Sequence, residues 1–585
     1  MYLRMTKRKN KDGSEVEYYQ LAETVYNRDR KRPEAKIIHN FGRVDQLDKA
    51  VLQRLAASIL RVCEEPELAE GQGGRVGEIE VEETRSYGPV YVAERLWEEL
   101  GIGEALRARM AARRCRVPHD RLLLALTANR LEAPCSKLAC HEHWLQEEVN
   151  LPEAADWKLE QLYRALDFLL EEADGIEKEV FFRVADLFNA DVDLIFWDTT
   201  NFWCEIDEED EDEESWRGQD FPALRKRGHN KEGRDGQPQV AVGLALTRDG
   251  LAVRSWVFPG NTVDVTTVAK VKEDLRGWRL GRCVFVGDAG MYSTENKEAL
   301  SKGLGRYILA VPMRKVKEIE QEVLTRPGRY RQVRPNLEVK EVVVGDGERR
   351  RRYLLCRNLE EAAREKSHRE RLLELLRAEI ATLGRCRTDE DDESVDEACE
   401  PPIDEPATAA SEPEKAHPKR VCELLSSRRF GKYLRRDGRG GLEIDEAKVK
   451  REERLDGKFV LTTNDDTLSP EDAALGYKSM MIIEGCFRRM KTAGLRTRPL
   501  FHWTAHRIVA HIKLCVLALT LQWAAEIRCQ DSWRNIFLEL RRIRSVRYTT
   551  GGQTIVQTTK PTAEALAYLE KLRISPPRKI LDISR

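Results

Sequence analysis

Three carboxylates far apart in this 585-residue chain sit in segments of different patterning: Asp198 in DVDLIFWDTTNFW, Asp288 at the end of RCVFVGD, and Glu484 within YKSMMIIEGCFRRMK, residues 477–491. The first segment alternates as a strand does, so Val192, Leu194, Phe196 and Asp198 share one face. An ionised acid that points with its apolar neighbours needs a cation, a hydrogen-bond network or a proton, because burying it alone is costly. The second segment is a short continuous apolar run, suited to a strand buried on both faces. Asp288 leaves it just before Ala289 and Gly290, at the kind of strand exit where ligand sites of α/β sheets gather. The third reads as a helix, with Tyr477, Glu484 and Lys491 on one stripe and Ile482, Ile483, Cys486 and Met490 roughly opposite. A solvated helix face has the same look, and either aspartate alone also suits a strand-end cap or turn. Jointly they count for more. If the two strands are neighbours and the helix crosses their edge, the acids form a hard-oxygen set without His or Cys, which selects Mg²⁺ or Mn²⁺ over zinc.

The elements that must position these acids follow from the change of period along the chain. Residues 1–87 hold short alternating segments and form a small strand-bearing module. Residues 88–190 read mainly helical; QLYRALDFLLEEADGIEKEVFFRVADLF breaks at Asp174-Gly175 and resumes, which predicts a helical hairpin. That region is a candidate for DNA contact as well as for plain packing. From 191 to 312 the order is three strands, helix, strand, helix, strand, a mixed α/β sheet. Between Pro312 and the strand-like KFVLTT lies an interval too long for a structureless loop, so 313–457 is expected to be an insertion domain, with LEVKEVVVG and RRRYLLC as strands. Its acidic, Pro- and Ala-rich part near 388–417 reads as a disordered linker. Residues 458–530 return to the core with the glutamate helix, and 531–585 form a C-terminal tail.

Apolar residues make up 41% and charged residues 34%, the composition of a highly charged globular protein of several domains. No apolar export segment stands near the start, and the run IVAHIKLCVLALTLQWAA is interrupted by His511, Lys513 and Gln522, so the expectation is a cytoplasmic protein without a membrane partner. The net charge of −2 conceals separation: EIDEEDEDEE at 205–214 has nine acids, and 389–414 has twelve and no base. From Arg488 to Arg547 thirteen Lys or Arg face three acids, which points to a basic surface for a polyanion. The thirteen cysteines show no paired short spacing and read as reduced thiols. In CSKLACHEH, Cys135, Cys140, His141 and His143 match no common zinc spacing, and helix packing is the better use for them.

WDTTNF around Asp198, VGDAGM around Asp288 and the segment from Tyr477 to Lys491 resemble the catalytic regions of DDE transposases of bacterial insertion sequences. The spacing of Tyr477, Glu484 and Lys491 is similar to the subgroup signature Tyr, two residues, Arg, three residues, Glu, six residues, Lys; Met480 stands where that signature has Arg. The resemblance extends through PGNTVD, DGKFVLTT and RPLFHWTAHRIVAHIKL, over about residues 190–525. It implies an RNase H-like core interrupted by a strand-containing insertion domain, and Asp198, Asp288 and Glu484 as catalytic metal ligands. Two Mg²⁺ or Mn²⁺ ions about 4 Å apart would serve phosphodiester cleavage and strand transfer. It further implies double-stranded DNA as partner, both element ends and target, and a homodimer in the DNA complex. Lys491 and Tyr477 are then expected on the DNA backbone, and Arg488 and Arg489 as general phosphate contacts. The alternatives are an RNase H-like nuclease that cuts without joining, and a transposase-derived DNA-binding protein that no longer catalyses.

Overall fold

The structure is a computed structural model that describes residues 2–9, 15–27, 32–43, 80–390 and 419–584, except 231, 235, 279, 281, 282, 428, 437–440, 551 and 552. The linker expected near 388–417 lies almost wholly outside the described residues. Two compact units are present. The first comprises Met1–Glu83, Val546–Gln557 and Ile580–Arg585. Its leading strands β1 (Tyr2–Lys9), β2 (Glu15–Asn27) and β3 (Arg32–Arg43) form an antiparallel sheet, as the alternating segments there predict. A strand β4 follows at Glu80–Ser86.

The second unit comprises Thr84–Ser545 and Thr558–Lys579 and holds all the candidate site residues. Its sheet begins with β5 (Leu194–Trp203), and after a small hairpin of β6 (Glu214–Trp216) and β7 (Gln219–Phe221) continues with β8 (Gln239–Thr247) and β9 (Ala252–Pro259). Then come β10 (Val284–Gly287) and β11 (Arg306–Val311). β8 runs antiparallel to β5 and β9 antiparallel to β8, while β10 and β11 run parallel to β5. In space the order is β9-β8-β5-β10-β11, an RNase H-like mixed sheet. Every residue of β8 and β10 is buried, as befits strands covered on both faces.

The strands expected inside a separate insertion extend this same sheet instead. β12 (Arg331–Arg334), β13 (Leu337–Val344) and β14 (Arg351–Asn358) join it through β17 (Lys458–Thr463), which pairs with β14 on one side and β11 on the other. The result is a nine-stranded sheet. Backbone pairing across β14 and β17 satisfies the edge that β11 would otherwise expose. The long helix Leu359–Glu390, the short pair β15 (Leu434–Arg436) and β16 (Leu442–Ile444), and a cluster of Leu372, Leu376, Val421, Leu424, Tyr433 and Val449 form a small core of their own in this interval.

The helical hairpin is corrected: Leu159–Phe188 is one helix of 30 residues, continuous through Asp174-Gly175. Both of those residues are exposed, while Leu166, Leu169, Ala173, Ile176 and Val180 hold a buried stripe across the break. A glycine in a helix costs about 1 kcal/mol, less than that stripe gains by burial. The apolar run near the end folds as the helix Ala505–Cys529, buried along nearly its whole length within the core. Lys513 ties it down, its ammonium donating to Glu177 at 2.7 Å on the 30-residue helix and to the Ser255 carbonyl at 2.6 Å on β9.

Two further strands, β18 (Arg544–Thr550) and β19 (Gln553–Thr558), and the last, β20 (Ile580–Ser584), line up with β4 in the order β20-β19-β18-β4. The C-terminal segment read as a tail is therefore built of regular elements, including the helix Ala563–Lys571.

Candidate active site

β5 and β10 are parallel neighbours paired from Val284↔Leu194 to Gly287↔Trp197. Asp198 and Asp288 are the next residues in that register, so Asp288 leaves β10 beside Asp198, which sits midway along β5, on strands about 4.8 Å apart. Each is fixed by local backbone. Asp198 Oδ1 accepts from the Thr199 N–H at 2.7 Å, and Asp288 Oδ1 accepts from the Gly290 N–H at 2.9 Å, capping the single turn Ala289–Met291.

A third aspartate joins them, one to which the sequence reading gave no role. Asp264 opens the helix Asp264–Arg276, and its Oδ1 accepts a short hydrogen bond from the Thr199 hydroxyl. A Cβ built on Gly290 would lie 3.2 Å from Asp288 Oδ1 and 3.5 Å from Asp264 Oδ2, so both carboxylates border that glycine. Thr199 thus links Asp198, through its N–H, to Asp264, through its hydroxyl. Asp264 is the acid of PGNTVD, a stretch whose resemblance was noted, and that motif was the signal that could have found it.

The segment from Tyr477 to Lys491 is not one straight helix. Pro470–Ser479 ends at Met480, Met481–Arg488 follows, and Arg489–Ala493 widens into a π turn. The Met480 N–H bonds the Tyr477 carbonyl and the Ile483 N–H bonds the Met480 carbonyl, both three residues back, which tightens the chain at the junction. Buried Met480, at the signature's Arg position, sits at that junction. Ile483, Cys486 and Phe487 are buried, and Glu484 stands exposed on the other face.

The Tyr477 phenol feels the charges of the acids. Burial first, then the charges of Asp288 and Asp198, then those of Cys356 and Glu484, hold its phenol well above the usual tyrosine range. Among the described residues no three His, Cys, Asp or Glu side chains close into a metal cage. The donor chemistry, all carboxylate oxygen, nevertheless fits a hard divalent cation.

Lys491, expected on the DNA backbone, donates to Glu232 Oε1 at 2.8 Å, and Arg498 donates to Glu232 Oε2 at 2.9 Å. Arg488 is exposed. Arg489 pairs with Glu526 on the Ala505–Cys529 helix, its side chain 26% exposed. Other bases of the same stretch are committed likewise: Arg507 to Asp167, Lys513 to Glu177 and Arg528 to Glu99. The basic surface read from the linear count is therefore thinner than thirteen bases would make it. Among the histidines, His506 pairs with Glu214, and buried His511 faces the Lys137 amine at 2.7 Å. His502 precedes the helix Ala505–Cys529. In CSKLACHEH, Cys140 is fully buried and His141 bonds the Trp157 carbonyl at 2.8 Å, which is packing.

Comparison with known proteins adds the following. The family model for the IS1634 family transposase N-terminal domain matches residues 3–71. The model for the transposase DDE domain matches residues 211–521, a span that includes Asp288, Tyr477, Glu484 and Lys491 and begins after Asp198. A solved structure, the cryo-EM structure of a piggyBac transposase synaptic complex with hairpin DNA, aligns over 78% of this chain and 79% of its own at 7% identity, with a TM-score of 0.31. No curated protein matches the chain.

Proposed function

The chain belongs to the DDE transposases of insertion sequences, and on that premise we propose that it cuts the ends of its element and transfers the freed 3′-OH strands into target DNA. The observation that supports this reading is the β5–β10 register, which sets Asp198 and Asp288 side by side next to Tyr477, whose phenol feels both charges. Asp198, Asp288 and Glu484 would hold Mg²⁺ or Mn²⁺, as their hard carboxylate oxygens suit. When bound, such ions activate an attacking water or 3′-hydroxyl and stabilise the leaving oxygen.

The chain's own residues supply the rest. Thr199 and Gly290 hold the two aspartates through their N–H groups, so little ordering remains for the moment of reaction. Tyr477, kept protonated by its surroundings, donates a hydrogen bond to the DNA backbone. Lys491 holds a phosphate near the scissile bond, and Arg488 makes a general phosphate contact. In this reading residues 191–312 and 458–530 carry the catalytic acids, 313–457 lies between them and lends β12–β14 to the same sheet, and the helical region 88–190 is a candidate for end recognition. The enzyme works in the cytoplasm as a homodimer that holds two DNA ends.

The test is Mg²⁺-dependent cleavage of a supercoiled donor plasmid, scored for nicked and for joined products. Asp198→Ala, Asp288→Ala and Glu484→Ala are each expected to abolish cleavage with DNA binding largely retained. A variant that cuts at the parental rate removes that residue from the site, and cutting without joined products leaves a nuclease. Asp264→Asn is expected to slow cleavage by about 10- to 100-fold, the usual cost of removing a group that orients a ligand.

A further inference from the structure

Lys491 and Arg498 share one acid, Glu232, which takes one cation on each of its two oxygens, at 2.8 and 2.9 Å. The Lys491 and Arg498 side chains are 12% and 14% exposed and that of Glu232 33%, so the acid is the most solvent-facing member of the trio. Glu232 lies in the loop RKRGHNKEGRDGQ between β7 and β8, where its N–H donates to the Asn230 side chain at 2.7 Å. Trp203, the last residue of the Asp198 strand, donates its indole N–H to Glu232 Oε2 at 3.2 Å. The Arg498 guanidinium lies 5.0 Å from the centre of the Trp203 ring and that of Arg234 4.1 Å. The trio is thus tied to the end of the strand that carries Asp198.

The chemistry of this arrangement is that of a bound phosphodiester. Two oxygens of one anion, each accepting from a different cation, with an indole N–H at one edge, is how a backbone phosphate is held. Burial opposes the charge on Glu232, but the hydrogen bonds from Lys491 and Arg498 keep its carboxyl below the usual carboxylate range, so it is an anion at neutral pH. Its place on a loop, rather than on the sheet, lets it leave without breaking the core.

We propose that Glu232 is an internal stand-in for a DNA phosphate: in the DNA-free chain it fills the clamp made by Lys491 and Arg498, and an entering strand displaces it. The proposal rests on the reading of Lys491 as a phosphate contact and adds a regulation of that contact. The clamp stays closed to weak or misplaced DNA and opens to a strand whose other contacts offset the lost ion pairs. Glu232 is also a charge of the same sign as the ligand, so it selects against loosely held polyanion.

The test measures binding of a fluorescein-labelled duplex oligonucleotide by anisotropy, at fixed low salt and without divalent metal. Glu232→Gln is expected to bind about threefold to tenfold more tightly than the parent, the scale of removing a competing, partly exposed charge. Glu232→Ala must show the same sign, with thermal unfolding confirming that both variants are folded. In a Lys491→Met/Arg498→Met background the gain should vanish. Equal or weaker binding by Glu232→Gln, as a mere brace for Lys491 would give, overturns the proposal. So does a gain of the same size in the double-Met background, which marks only a change in overall charge. If the parent binds and cleaves DNA while Glu232→Gln shows no gain, this proposal alone falls; if the parent binds no DNA, the transposase reading falls with it.

Discussion

A single buried acid away from the reaction site shows how far surroundings can move a residue from its ordinary behaviour. Glu132 ends the helix His119–Glu132; one of its oxygens takes a short hydrogen bond from Ser86, and the other is buried with no partner. Burial pushes its carboxyl up to about 7 from 4.5, against the opposing pull of the Ser86 hydroxyl. The folded state therefore keeps a proton that the unfolded chain has already lost. Its contribution to stability is fully present below the unfolded value of 4.5 and is lost as pH rises to about 7. Glu132→Gln is expected to flatten this slope and to stabilise the protein at pH 8 by about 2–3 kcal/mol relative to the parent. Urea unfolding at pH 5 and pH 8 checks it, and a variant with the parent's slope would place the pH dependence elsewhere.

At the scale of elements, the Ala505–Cys529 helix is the post against which the catalytic sheet is held. Lys513 and Glu177 are each 8% exposed, and the Ser255 carbonyl and hydroxyl complete their hydrogen bonds, so helix, helix and strand meet in one satisfied network. Removing one partner strands the other charge. Lys513→Met should cost about 3–5 kcal/mol, and pairing it with Glu177→Gln should recover much of the loss. Denaturant unfolding of the two variants measures the coupling directly; equal losses in both would mean that the pair is not what binds these elements. The same logic explains why a helix apolar enough to suggest a membrane span carries Lys513, His511 and Gln522 unharmed: each lies inside protein, and Lys513 and His511 have hydrogen-bond partners there.

For the molecule as a whole, charge decides how DNA would be met. With a net charge of −2 the chain has no general attraction for a polyanion, and several bases of the 488–547 stretch are already paired with internal acids. On the proposed reading, binding comes from a limited set of contacts, Lys491, Arg488 and Arg498 among them. Affinity for duplex DNA is expected to fall linearly on a log–log plot against salt, with a slope of about −0.9 for each phosphate neutralised. Anisotropy titrations across a salt series give that slope. A flat response would remove the phosphate contacts from the account.

Periodicity along the chain was enough to identify the strands of Asp198 and Asp288 and the helical character around Glu484, because strand and helix repeats are written in neighbouring residues. The order of β5, β8, β9, β10 and β11 was legible for the same reason. What tertiary structure alone decided involves partners remote in sequence, which leave no local period. The junction at Met480, the extension of the core sheet by β12–β14, the pairing of Arg489 with Glu526, and the arrival of Asp264 at Thr199 are of this kind. So is the meeting of Lys491 with Glu232, 259 residues away. A charge count reads residues in order, whereas ion pairs form between residues that folding brings together, and only the fold says which cations remain for DNA.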